Sequence, residues 1–280
     1  MLGVYGDGAD GALNILTDTN WSTSPPSGSL QFTSISVAAG ATLTIPSGIV
    51  LRATGNVTIN GIIQVLPNPI ALAAGSQLQA SQLLHPGPTV GGSGNVAGGF
   101  AGTLDGGGSF AIYAEGNITV ASTGSISANG QNAPTETPPP GFTSAGSGGG
   151  GGGVLVLLAK GTLTVAGTVQ ANGGNGANGV DNGTPLFGGS SDGGGGGGGG
   201  GIVHLLASAF VGTPQVQVQG GTSGKSGTSA SSNHEGGNGG SGGGPGGLGA
   251  TAGPSGTPAQ NGSAGLVFQT ADPAPEDLLS

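Results

Sequence analysis

The sequence predicts an all-β chain: an elongated β-solenoid-like stack of short strands with Gly-rich insertions, the insertions partly forming polyglycine II helices. Three observations predict it. Glycine makes up 68 of 280 residues while charged residues make up only 5%. Short alternating apolar segments recur with a shared grammar. Glycine runs such as "SDGGGGGGGGGIVHLL" (191–206) lead straight into those segments.

Composition removes several classes first. Ordinary domains carry roughly 25% charged residues, and charge-rich disordered chains combine high net charge with low hydrophobicity. This chain is 34% hydrophobic and its mean hydropathy is slightly positive. No strict G-X-Y period supports a collagen helix. Glycine costs about 1 kcal/mol per helical position relative to alanine, which argues against helices. Arg52, Lys160 and Lys225 are the only three basic residues against 12 acidic ones, a net charge of −9. Nucleic acid and anionic membrane surfaces are therefore poor partners, because phosphates need basic neutralisation. No stretch approaches the roughly 20 apolar residues of a spanning helix. The opening "MLGVYGDGADG" lacks the basic and apolar regions of a secretory leader, so the chain is expected to be processed already or to leave its cell by a route such as lysis. With no cysteine there are neither disulfides nor thiolate metal sites.

The strand elements come from an internal repeat. "IVLRATGNVTINGII" (49–63), "FAIYAEGNITVASTGSISANG" (110–130) and "LVLLAKGTLTVAGTVQANG" (155–173) align on Ala53, Ala114 and Ala159, each followed by Gly55, Gly116 or Gly161. A degenerate copy spans 202–221, a trace spans 265–270, and 33–48 shares the strand–Gly–strand grammar. Alternation punctuated by glycine reads as strands. It predicts that Val57, Ile59 and Ile62 point one way while Thr58 and Asn60 point the other. One repeat cannot bury its apolar face alone, whereas stacked repeats can.

The Gly-rich insertions are placed at 66–108, 130–153, 172–201 and 220–264, leaving one corner of each coil. Their local glycine spacing is three, as at Gly173, Gly176 and Gly179. Three residues per turn is the period of the polyproline II helix. Without side chains such helices can satisfy their main-chain groups on one another. The chain divides into an attachment or cap segment (1–32), a body (33–270) and an acidic arm (271–280).

Two segments carry a resemblance. "VYGDGADGALNI" (4–15), followed by "ISVAAGATLTIPSGIVLRATGNVTINGII", resembles the start of many phage-encoded tail and fibre proteins. The Gly-rich second half is similar to the tip adhesins of T-even-type long tail fibres. The resemblance implies a sandwich of polyglycine helices whose end loops touch a host receptor. It implies a virion tail, extracellular location, homo-oligomers, and as partners other virion tail proteins and a host surface glycan or protein.

Candidate chemistry is sparse. "GDGADG" (6–11) and "GGNGANGVDNG" (173–183) carry the oxygen ligands of a calcium site without its spacing, so a turn is the expectation for the first. His85, His204 and His234 are isolated, with no pair at zinc spacing. No G-x-S-x-G elbow precedes a helix. The expectations are no catalytic residue, no metal and no cofactor. Phe142, Phe187 and His234 are the candidate receptor contacts, because exposed aromatics supply disproportionate binding energy. The expected function is that of a non-enzymatic, structural and adhesive phage tail-fibre or tail-tip protein. The alternatives are a cellular surface adhesin or extracellular filament subunit, and a polysaccharide-degrading tailspike.

Overall fold

The computed structural model describes residues 3–24, 26–67, 105–135, 137–141, 143–181, 193–227, 238–239, 242, 244, 246–248, 250 and 257–279. The chain winds into a parallel β-helix. In chain order, the first coil holds β1 (Ala12–Ile15) and β2 (Thr19–Asn20), and the second β3 (Gln31–Phe32), β4 (Ser34–Val37) and β5 (Thr42–Ile45). The third holds β6 (Ile49–Ala53), β7 (Val57–Ile59) and β8 (Ile62–Val65), and the fourth β9 (Ser109–Ala114), β10 (Ile118–Val120) and β11 (Ser125–Ser127). After the short β12 (Thr143–Ser144), the fifth coil holds β13 (Val154–Val165) and β14 (Thr168–Gln170), followed by β15 (Val180–Asp181). The sixth holds β16 (Ile202–Val211) and β17 (Val216–Gln217), and β18 (Leu266–Ala271) closes the series.

Equivalent strands of successive coils pair in parallel and form walls. The first wall stacks β3, β6, β9 and the leading halves of β13 and β16 under β18. The second stacks β1, β4, β7, β10 and the trailing halves of β13 and β16. Because β13 and β16 run through both, these walls form one ten-stranded sheet. The third wall is a separate six-stranded sheet, β17-β14-β11-β8-β5-β2. All three enclose one core that includes Val37, Leu43, Leu51, Val57, Ile63, Ile112, Leu157 and Val169.

The repeat alignment holds in the register. Ala53 pairs with Ala114, Ala114 with Ala159, Ala159 with Ala207, and Ala207 with Ala271. From the third coil onward a small side chain recurs at this row, where the first wall turns into the second; in the second coil Phe32 holds the place opposite Ala53. At that corner Asn56 Oδ1 accepts the Asn117 N–H at 2.9 Å, and Asn117 Oδ1 accepts the Thr162 N–H at 2.8 Å. In the fifth coil Thr162 replaces the asparagine, and the strand continues past a bulge between Ala159 and Thr162.

Ile62 departs from its expected facing. It is 42% exposed, and Ile63 takes the inward place at 0%. The turn at Gly61, whose N–H bonds Val37 O, resets the alternation between β7 and β8.

The expected elongated β-solenoid-like stack of short strands with Gly-rich insertions, partly polyglycine II helices, is corrected. The strands are not uniformly short: β13 has 12 residues and β16 has 10, each joining two walls. The described glycine segments are not excursions from a corner. They are legs of the coils themselves, running out from the third wall and back into the first. Outgoing legs at 128–135, 171–181 and 218–227 lie side by side, as do returning legs at 146–153, 193–201 and 257–265.

The main-chain hydrogen bonds of these legs follow a period of three. Gly146, Gly149 and Gly152 donate to Gly193, Gly196 and Gly199 on the next returning leg. Gly195, Gly198 and Gly201 donate to Ala177, Gly174 and Ala171 on the outgoing leg. Gly194, Gly197 and Gly200 offer their carbonyls to Ala250, Gly247 and Gly244 in a further layer. Each third of the nine-glycine run thus faces a different neighbour, and the run is buried along its length. A Cβ on Gly195 or Gly198 would fall on the carbonyl of Ser147 or Gly150, far inside van der Waals contact. No rotamer relieves a clash with main chain. We expect Gly198→Ala to destabilise the fold by about 2 kcal/mol or more, and Gly3→Ala, where a Cβ meets nothing within 4 Å, to change it by less than about 0.5 kcal/mol; thermal unfolding of the two variants checks both.

Candidate functional site

Phe142, Phe187 and His234, the sequence-predicted receptor contacts, lie outside the described residues, as does His85. His204 sits on the outer face of the first wall at 8% exposure. Its Nε2 is 3.3 Å from Thr270 Oγ1, and its ring meets Phe268 edge to face with centroids 5.7 Å apart. It is a packed residue of paired strands.

The opening acidic motif works as turn chemistry. Asp7 Oδ1 accepts the Ala9 N–H at 2.9 Å. Asp10 Oδ2 accepts from Gln31 N–H at 2.9 Å and Ser29 Oγ at 3.0 Å. The Gln31 bond, ahead of the others, holds the Asp10 carboxyl below its ordinary value. Gly6, Gly8 and Gly11 adopt positive φ around these carboxylates, a conformation that glycine supplies without a Cβ penalty. Among the described residues no group of three or more His, Cys, Asp or Glu could hold a metal ion. No helix among them is long and apolar enough to cross a membrane.

Two surfaces stand out, on different walls. The first lies over the outer face of the first wall. There Ala111, Tyr113, Val154, Val156, Leu158, Ile202 and Leu206 form a second apolar cluster with Tyr5, and Val4 and Leu279 pack against it. Burial on both faces explains why "VLVLLA" and "IVHLLA" are continuously apolar rather than alternating. Charged groups gather at this cluster's edge. The Tyr5 hydroxyl donates to Glu276 Oε2 at 3.0 Å, and Lys160 Nζ lies 3.5 Å from both Glu115 Oε1 and Glu276 Oε1. Lys160 also sits 5.8 Å from the Tyr5 ring centre, and Arg52 5.8 Å from that of Tyr113. Residues near the two termini, 271 apart in sequence at Tyr5 and Glu276, are thereby clasped over β13. Glu276 belongs to a 3-10 helix, Pro275–Leu279. Sequence reading did not find this clasp, since nothing local to either segment signals the other.

The second surface is the outer face of the third wall, continued by the outgoing legs. One row runs in register through Asn20, Thr44, Gln64, Ser127, Gln170 and Gln217. A parallel row runs through Thr42, Ile62, Ser125 and Thr168, with Asp18 at its start accepting the Thr42 N–H. On the legs, Asn129 Oδ1 accepts the Asn172 N–H, and Asn172 Oδ1 accepts that of Gln219, at 2.7 and 2.8 Å. Asn132, Asn175 and Thr222 repeat this pattern three residues on, and Asn178 accepts from Lys225 N–H. "GGNGANG" is thus a ladder in which asparagine oxygens satisfy the main chain of the following coil. The signal was present in the sequence as asparagine every third residue.

Comparison with known proteins adds no relative: no family model, no curated protein and no solved structure matches the chain.

The clasp makes stability depend on pH. Burial alone would raise the Glu276 carboxyl, but its main-chain bond, the Tyr5 hydroxyl and the Lys160 ammonium outweigh it and hold the group below its ordinary value of 4.5. Burial first, then the bond to Glu276, pushes the Tyr5 phenol up, so it remains a donor. A carboxyl lowered in the folded state contributes stability above its unfolded pKa and loses it as pH falls through the folded one. Melting at stepped pH should show wild type losing stability below 4.5. Glu276→Gln should melt a few degrees lower at neutral pH and depend less on pH across that range.

Proposed function

We propose that this chain is a structural and adhesive protein of the phage tail-fibre or tail-tip kind, recognising a host cell surface by non-covalent binding. The observation that supports this most is the second surface. It is a broad, regular set of uncharged hydrogen-bonding side chains on a scaffold braced by main-chain bonds. Many weak contacts presented rigidly suit recognition of a repetitive surface, and multiple copies multiply such contacts into avidity. Rigid presentation also lowers the ordering cost of binding. The reading includes other virion tail proteins as partners and no catalytic step.

A second reading, a filament subunit of a cell surface, draws on one observation. Among the described residues β18 pairs with β16 alone, and Leu266, Val267 and Phe268 on it are 46%, 46% and 37% exposed. An uncharged apolar edge strand is a template for pairing with another chain.

Gold-labelled antibody on particles and cells from a producing culture tests both. Label at the distal tail of virions is the expected result. Label on the cell envelope alone would replace the first reading with the second. In the virion case, incubation with host envelope glycan should release no soluble sugar.

A further inference from the structure

We propose that the outer face of the third wall and its outgoing legs binds an extended, uncharged polysaccharide laid across the coils. This rests on the surface-binding reading above and assigns it a face and a ligand chemistry.

Charge argues first. Between Asp18 at one corner and Lys225 and Asp181 at the far ends of their legs, the rows carry no acidic or basic side chain, in a chain of net charge −9. A polyanion would meet a like-charged molecule without a basic patch, and a polycation would find no row of acids. A neutral polymer needs neither.

Donor direction argues second. The Oδ1 atoms of Asn132, Asn172 and Asn175 are committed to the N–H groups of the next coil. Asn132 and Asn175 therefore keep their NH2 groups to give and are exposed, while the Asn172 NH2 already donates to Gln170 Oε1 at 3.5 Å. An amide carries two donors on nitrogen, so the ladder offers fixed donors suited to hydroxyl, ring and acetamido oxygens. Gln64 and Gln217 in the neighbouring row are exposed as well. Ile62, 42% exposed, gives that face an apolar spot on which the C–H side of a sugar ring can rest.

Spacing argues third. Parallel coils bring equivalent side chains about 4.8 Å apart, and residues three apart on an extended leg lie about 9 Å apart. Pyranose units in an extended β-linked chain repeat on this same length scale, so one chain crossing the coils meets a donor at each sugar. Compact or strongly coiled glycans do not keep that match.

The test is co-sedimentation of the full chain with insoluble cellulose and chitin, both extended and neutral, beside cross-linked dextran and alginate. We expect saturable binding to cellulose or chitin that survives raised salt, with little on dextran or alginate. Asn132→Asp with Asn175→Asp keeps the acceptor oxygen that each ladder bond needs and removes the outward donors. It should weaken binding at least about tenfold with an unchanged melting temperature. Gln64→Ala with Gln217→Ala, which touches no ladder bond, should weaken it as well. Absence of binding to both extended polymers, or binding that both double variants leave unchanged, would overturn the proposal. Adhesion to intact host cells separates the two levels. If wild type and the variants adhere equally, this face is wrong while the adhesive reading stands; if wild type does not adhere, the adhesive reading fails.

Discussion

The hydrogen bond between main chains of adjacent coils is the constraint on which the molecule depends. Fixing one residue's backbone costs about 1–2 kcal/mol, and glycine loses more freedom than any other residue. A net main-chain hydrogen bond returns about 0.5–1.5 kcal/mol. A glycine leg by itself therefore comes out unfavourable, by about 0.5 kcal/mol per residue or more, without the apolar burial that carries ordinary domains. Two features tip it. Each described leg is continuous at one end with a strand of the walls, so that end is already held. Each residue of the triplet also faces a separate neighbour, so ordering one leg prepares partners for several others.

This constraint explains where glycine is required and where it is not. The returning leg at 193–201 has legs or layers on every bonded side, and nine consecutive glycines meet that demand. The outgoing leg at 171–181 has one side open. There every third position carries an asparagine, while Ala171, Gly174 and Ala177 face inward and are buried. Inner and outer layers are written in the same period with different residues.

Much of this was legible, and the rest was hidden for physical reasons. The anchors Ala53, Ala114 and Ala159 set the register correctly because the same small inward residue returns at the same wall junction in those coils. The period of three was also visible. What it could not reveal was which chain each glycine meets, since a leg and an excursion share the same local geometry. Strand length failed at Gly161: "KGT" and "EGN" look alike, yet Asn117 supports a corner while Thr162 lets β13 run on. The facing of Ile62 failed because one turn residue shifts the alternation. Of the candidate contacts, Phe142, Phe187 and His234 lie outside the described residues; the neutral ladder went unread because Asn132 and Asn175 resembled part of a calcium motif or a loop.

The two surfaces divide labour in a way the main-chain scaffold makes possible. Arg52, Lys160, Glu115 and Glu276 gather over the first wall, where aromatic rings and the chain's ends need fastening. The third wall and its legs need no such fastening, because their main chain is already bonded. At the ladder positions the following coil carries Gln219, Thr222 and Lys225 in place of Asn172, Asn175 and Asn178. Amide, hydroxyl and ammonium groups therefore occupy equivalent places in one layer. A fold held by its backbone can change what it displays at those positions while the legs beneath keep their bonds, which is what the surface-binding role proposed above would require.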